Sequence, residues 1–107
     1  MNYHTLQFVK LGKEYRSKHG GKWFHIYFTD GSKSYRTTLY DNMRNFNLWS
    51  DVIENAERGD RITGLMLKTY KGKKIVNADS SPYLYTREEW IEKENERFAQ
   101  HFGVDWV

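Results

Sequence analysis

The stretch from Lys22 to Tyr40 constrains this chain more than any other. Lys22-Trp23-Phe24-His25-Ile26-Tyr27-Phe28-Thr29 is dense in aromatic and β-branched residues, Asp30-Gly31-Ser32-Lys33 carries turn chemistry, and Ser34-Tyr35-Arg36-Thr37-Thr38-Leu39-Tyr40 resumes the pattern. Such a sequence predicts a β-hairpin. Period two then decides which side chains share a face. A four-residue loop puts Phe28 opposite Tyr35, Ile26 opposite Thr37 and Phe24 opposite Leu39, and this set must face a core. The other face collects Trp23 with Tyr40, His25 with Thr38 and Tyr27 with Arg36. A loop of odd length would mix Arg36 into the apolar set, so the even loop is expected.

Around the hairpin the periodicity changes twice. Tyr3 to Leu11 alternates loosely, with Leu6 and Phe8 on one face, and reads as a strand. Gly12 to Gly21 is polar, basic and glycine-bearing, a loop or a bent strand end. Phe46, Trp49, Val52, Ile53 and Ala56 recur at helical spacing, which predicts a helix over residues 45–58 with Asn45 or Asn47 as N-cap and Gly59 just past its end. Arg61 to Tyr70 reads as a strand, Lys71-Gly72-Lys73 as a turn, and Lys74 to Ala78 as a short strand. Thr86-Arg87-Glu88-Glu89 has the pattern of a capping box. It should open a second helix with a narrow stripe of Trp90, Ile91, Phe98 and Phe102, broken by Glu94. The expected fold is all-β: a five-stranded OB-fold Greek-key barrel over 1–82, with a helix between strands 3 and 4. A C-terminal helical appendix would occupy 83–107.

Composition bears on what such a domain can do. A chain of 107 residues has room for a single core, and the absence of cysteine removes disulfides, thiolate metal sites and thiol nucleophiles. No apolar run approaches the ~20 residues of a membrane span. The polar start lacks the pattern of a signal peptide, so the expected location is cytoplasmic, in a bacterium or virus. Aromatic residues make up 17% of the chain against 38% hydrophobic overall, more rings than a small core absorbs, so some should face solvent or a ligand. The net charge of +3 divides unevenly: residues 1–82 carry 14 Lys/Arg against 8 Asp/Glu, and residues 83–107 carry 3 against 6. A basic, aromatic body points to a polyanion as partner.

The element order, the stretch Gly21 to Phe28 followed by Asp30-Gly31, and Gly59-Asp60-Arg61-Ile62-Thr63-Gly64 before the fourth strand together resemble the small OB-fold single-stranded DNA-binding proteins of phages and mobile genetic elements. The resemblance covers residues 3 to 80. It implies sequence-tolerant binding of single-stranded nucleic acid, ssDNA foremost, in the replication of a phage or mobile element. Some members of that family are accessory subunits of primases or helicases, and a short chain with a helical appendix is similar to those. The acidic, proline-bearing tip of housekeeping single-strand binders is absent.

Individual residues acquire roles on this reading. Trp23, Tyr27 and Tyr40 are the expected stacking platforms for bases, with His25 between them and Arg36 on the same face. Lys13, Arg16, Lys18 and Lys22, with Lys10, surround the first connection, and Lys68, Lys71, Lys73 and Lys74 crowd the last turn. In an OB barrel both basic groups flank the cleft and would track a phosphate backbone. Each feature also has a plainer explanation: rings can pack under a helix, and charged turns are commonly just solvated. No enzyme activity is expected, nor any cofactor or metal. His4, His19, His25 and His101 show no ligand spacing, and Asp51, Glu54 and Glu57 read as a solvated helix surface. Gly20-Gly21-Lys22-Trp23 lacks the spacing of a P-loop. Trp90, Phe98, Phe102 and Trp106 are expected to dock a replication protein or a second copy of the chain. The alternative is a protein-interaction module that uses the same aromatic face without binding nucleic acid.

Overall fold

The structure, a computed structural model, describes residues 3–85, 88–89 and 91–93. Its elements in chain order are β1 (His4–Leu11), β2 (Tyr15–Arg16), β3 (Lys22–Thr29), β4 (Ser34–Tyr40), α1 (Phe46–Asn55), β5 (Arg61–Leu65), β6 (Leu67–Tyr70), β7 (Lys73–Val76) and β8 (Tyr83–Tyr85). The fold is mostly β, with antiparallel pairing throughout and one helix between β4 and β5.

The β3–β4 hairpin has the expected register, with Phe24 opposite Leu39, Ile26 opposite Thr37 and Phe28 opposite Tyr35. Its loop is closed by local side-chain hydrogen bonds of both senses. The Ser32 and Lys33 amides donate to Asp30 Oδ1 at 2.8 and 2.7 Å, and Thr29 Oγ1 donates to the Lys33 carbonyl at 2.8 Å. Those two amide donors hold the Asp30 carboxyl below its ordinary pKa.

β1 and β2 lie on one edge of β3 and β4 on the other. β1 pairs with the far half of β3 and β2 with Lys22 and Trp23, so the chain between them bends rather than loops away. Gly12 makes the bend: its amide donates to the His25 carbonyl at 2.7 Å, and a Cβ there would sit 3.1 Å from that oxygen and 3.2 Å from the Tyr27 ring. β5 pairs with the other edge of β1, and β6 with β7. β7 lies against β4.

Four details differ from the sequence reading. The single strand expected over Arg61–Tyr70 is divided at Met66, whose amide donates to Ser80 Oγ at 2.8 Å and whose carbonyl accepts from Asn77 at 2.7 Å. The segment after β7 thereby takes the ladder position at the break. Second, Tyr83–Tyr85 forms strand β8 on β5, with Leu84 turned toward the core, where the reading began its appendix. Third, Asn45 makes no side-chain cap. Its Nδ2 instead donates to the carbonyls of Ala78 and Ser80, at 2.9 and 2.7 Å, and so ties the helix entrance to the segment before β8. The helix ends at Asn55, followed by extended Ala56, before the Gly59 stop that was expected.

The core is built by strands of both sheets together with the helix. Phe24, Ile26, Phe28 and Leu39 of the hairpin meet Leu6 and Phe8 of β1, Ile62 and Leu65 of β5, and Val76 of β7. Trp49 and Val52 of α1 close one side. Trp49 is fully buried, and its indole N–H is satisfied by the Ala78 carbonyl at 2.9 Å, as a buried polar atom requires.

Candidate functional site

With one face of β3 and β4 committed to the core, strand alternation leaves Trp23, His25, Tyr27, Arg36, Thr38 and Tyr40 on the outer face, in the expected cross-strand pairs. The rings form a continuous strip. Trp23 lies 5.6 Å from His25 and 6.2 Å from Tyr40, and His25 lies 6.2 Å from Tyr27, all between ring centroids. Tyr15, brought in by β2, extends the strip by stacking on Trp23. Trp23, His25 and Tyr27 are half-buried, and Tyr15 and Tyr40 are exposed.

Cations flank the strip. Lys10 Nζ sits 5.4 Å from the Tyr27 ring centroid and Lys13 Nζ 5.8 Å from that of Tyr15. Lys22 pairs with Glu14 at 3.5 Å, and Arg16 reaches back to the Gly20 carbonyl. Lys18 is exposed in the loop between β2 and β3. His25 Nδ1 shares a hydrogen bond of 2.8 Å with Thr38 Oγ1. Burial, and then the positive field of Arg36, push the His25 pKa below the ordinary histidine value, while a hydrogen bond with the Thr37 backbone opposes them.

Across β4 the β6–β7 hairpin supplies a second wall. Its register places Lys68 with Ile75 and Tyr70 with Lys73 on one face, and Thr69 with Lys74 on the other. A groove of about 420 Å³ runs between the walls, lined by Arg36, Thr38 and Tyr40 on one side and by Lys68 and Tyr70 on the other. Lys71, at the tip, lies 5.4 Å from the Tyr70 ring centroid. Lys74 faces a different cavity, beside His4 and Thr69.

The structure therefore gathers Trp23, His25, Tyr27, Arg36 and Tyr40 with Lys68 at one surface and sets Lys74 apart from it. It adds Tyr15 and Tyr70, which the sequence reading missed. Their signals were alternation with Lys13 in one case and with Lys68 in the other. Trp90, Phe98, Phe102 and Trp106, expected to dock a partner, lie outside the described residues. Among the described residues no three His, Asp or Glu side chains are grouped to hold a metal ion, and no helix is long and apolar enough to cross a membrane. No protein-family model matches the chain, and no curated protein sequence matches it significantly.

Proposed function

We propose that this chain is an OB-type barrel that binds single-stranded nucleic acid, ssDNA foremost, on the outer face of β3 and β4, without catalysis. The fold part of the reading is supported by strand order. On this reading β5 and β6, although in separate sheets, correspond to one broken fourth strand and β7 to the fifth, and the approach of β7 to β4 is where such a barrel would close. The observation that carries the function is the strip of rings from Tyr15 through Trp23 and His25 to Tyr27, with Tyr40 beside it and Lys10, Lys13 and Arg36 around it. Bases stack on such rings regardless of identity, and a backbone running past them meets cations on both sides. Replication of a phage or mobile element, within a cytoplasm, is the setting the family resemblance offers.

Titration of labelled oligo-dT, matched RNA and duplex DNA with the full chain tests this. Affinity for the single strands should fall with salt along a log–log slope of about −0.7 per neutralised phosphate, with duplex binding much weaker. No binding of any single strand at low salt would sink the reading and favour a protein ligand for the aromatic face.

A further inference from the structure

The groove between β4 and the β6–β7 hairpin contains one feature that a surface built only for phosphate would not include. Asp79, exposed to solvent, lines it together with Asn77, Arg36 and Lys68, and also borders a neighbouring cavity beside Arg44 and Asn45. Among the described residues no hydrogen bond or ion pair engages the Asp79 carboxylate. A carboxylate here weakens the attraction for a polyanion, and its oxygens stay open to a ligand's donors.

The segment that carries it is held firmly. The Ala78 carbonyl accepts from both Asn45 Nδ2 and Trp49 Nε1, each at 2.9 Å, and the Ser80 carbonyl accepts from Asn45 Nδ2 at 2.7 Å. Ser80 is fully buried, and its hydroxyl donates to the Asn77 carbonyl at 2.6 Å while accepting the Met66 amide at 2.8 Å. The Asp79 amide is itself tied to Asn77 Oδ1 at 3.0 Å. A backbone pinned on both sides fixes where the Asp79 side chain starts, so only its two side-chain torsions have to settle when a donor binds.

We propose that this groove is a base-selective subsite for a guanine of the bound strand, resting on the single-strand reading above. Tyr40 and Tyr70, one from each wall, supply stacking surface, and Lys68 and Arg36 neutralise the flanking phosphates. A carboxylate is acceptor-only and takes two donors at once. Of the four bases only guanine offers two adjacent donors at its Watson–Crick edge, N1–H and the N2 amino group. That edge is accessible in a single strand. Binding along the strip remains sequence-tolerant, and this one position discriminates.

The test uses the full chain and three labelled oligonucleotides of about 12 nucleotides, within the usual span of one OB domain. One is oligo-dT, one carries a single central dG, and one carries inosine in its place, which keeps N1–H and lacks the amino group. The dG strand should bind about tenfold more tightly than oligo-dT, the scale of a good bidentate contact, with inosine intermediate. Asp79→Asn should abolish the dG preference while keeping or improving oligo-dT affinity, because a repulsive charge is removed. Tyr70→Ala should weaken binding of the dG strand more than that of oligo-dT. Equal affinity of the unaltered protein for dG and dT strands overturns the subsite alone, as does a dG preference that survives Asp79→Asn. Failure of all three strands to bind overturns the single-strand reading and the subsite with it.

Discussion

Tyr15 lies face to face with Trp23, ring centroids 4.5 Å apart and planes inclined by 21°. The contact follows from pairing: β2 sets Tyr15 directly opposite Trp23 across two short ladder steps. It makes Tyr15 both a ring a base can reach and a prop for the indole. Trp23→Ala and Tyr15→Ala should each weaken oligonucleotide binding by about 1–3 kcal/mol. The double variant should lose less than the sum, because removing one ring already frees the other. Fluorescence titration of the four proteins gives the cycle, and strictly additive losses would mean that the two rings bind independently.

The neighbour on the opposite face should behave in the reverse sense. Phe28 is fully buried, 6.2 Å from the Trp49 ring, whereas Tyr27 beside it points to the outer face. Phe28→Ala is expected to cost about 3–5 kcal/mol in urea unfolding. Tyr27→Ala should leave the unfolding midpoint nearly in place and weaken oligonucleotide binding.

The contrast between these adjacent residues is also the part of the molecule most legible in the sequence. Period two along Lys22–Tyr40 carries both the core and the outer face, since a one-residue slip would bury Arg36. What was illegible depends on distant partners. The break at Met66 exists because Ser80 and Asn77 return to satisfy it, and nothing local to Arg61–Tyr70 announces them. Tyr83-Leu84-Tyr85 is too short to stand out as a strand without its partner β5. Asn45 read as a cap from position alone, yet its side chain is oriented to give both Nδ2 hydrogens to the Ala78 and Ser80 carbonyls, and its oxygen caps no helix amide. Tyr70 reaches the site through the packing of β7 against β4, a contact between segments far apart in the chain.

Gly64 should tolerate no side chain. Its φ is +75°, and a Cβ would press directly on the Ser81 carbonyl oxygen, which is backbone and cannot swing aside. Gly31 has φ +100° but open space around it. Gly31→Ala should therefore carry only the backbone penalty, about 1–3 kcal/mol, and Gly64→Ala distinctly more. Thermal melts of the two variants compare them, and equal losses would show that the strands near Ser81 yield without strain.

His25 gives a pH signature to the same face. Burial and the Arg36 guanidinium both disfavour its charged form, so its folded pKa lies below the ordinary value of 6.5. The folded protein thus holds this proton less tightly than the unfolded chain does. Its contribution to stability is complete above pH 6.5 and is lost as pH falls from there through the folded midpoint. An NMR titration should show His25 inflecting below 6.5, and Arg36→Gln should move the midpoint partway back by removing one of the two causes. Saturation with oligo-dT should raise it too, because phosphate beside Arg36 cancels the field that opposes protonation. By linkage, oligonucleotide affinity must then increase as pH falls through this range, even as the free protein loses stability. An oligonucleotide that bound while leaving the His25 midpoint unmoved would place the phosphates elsewhere on the surface.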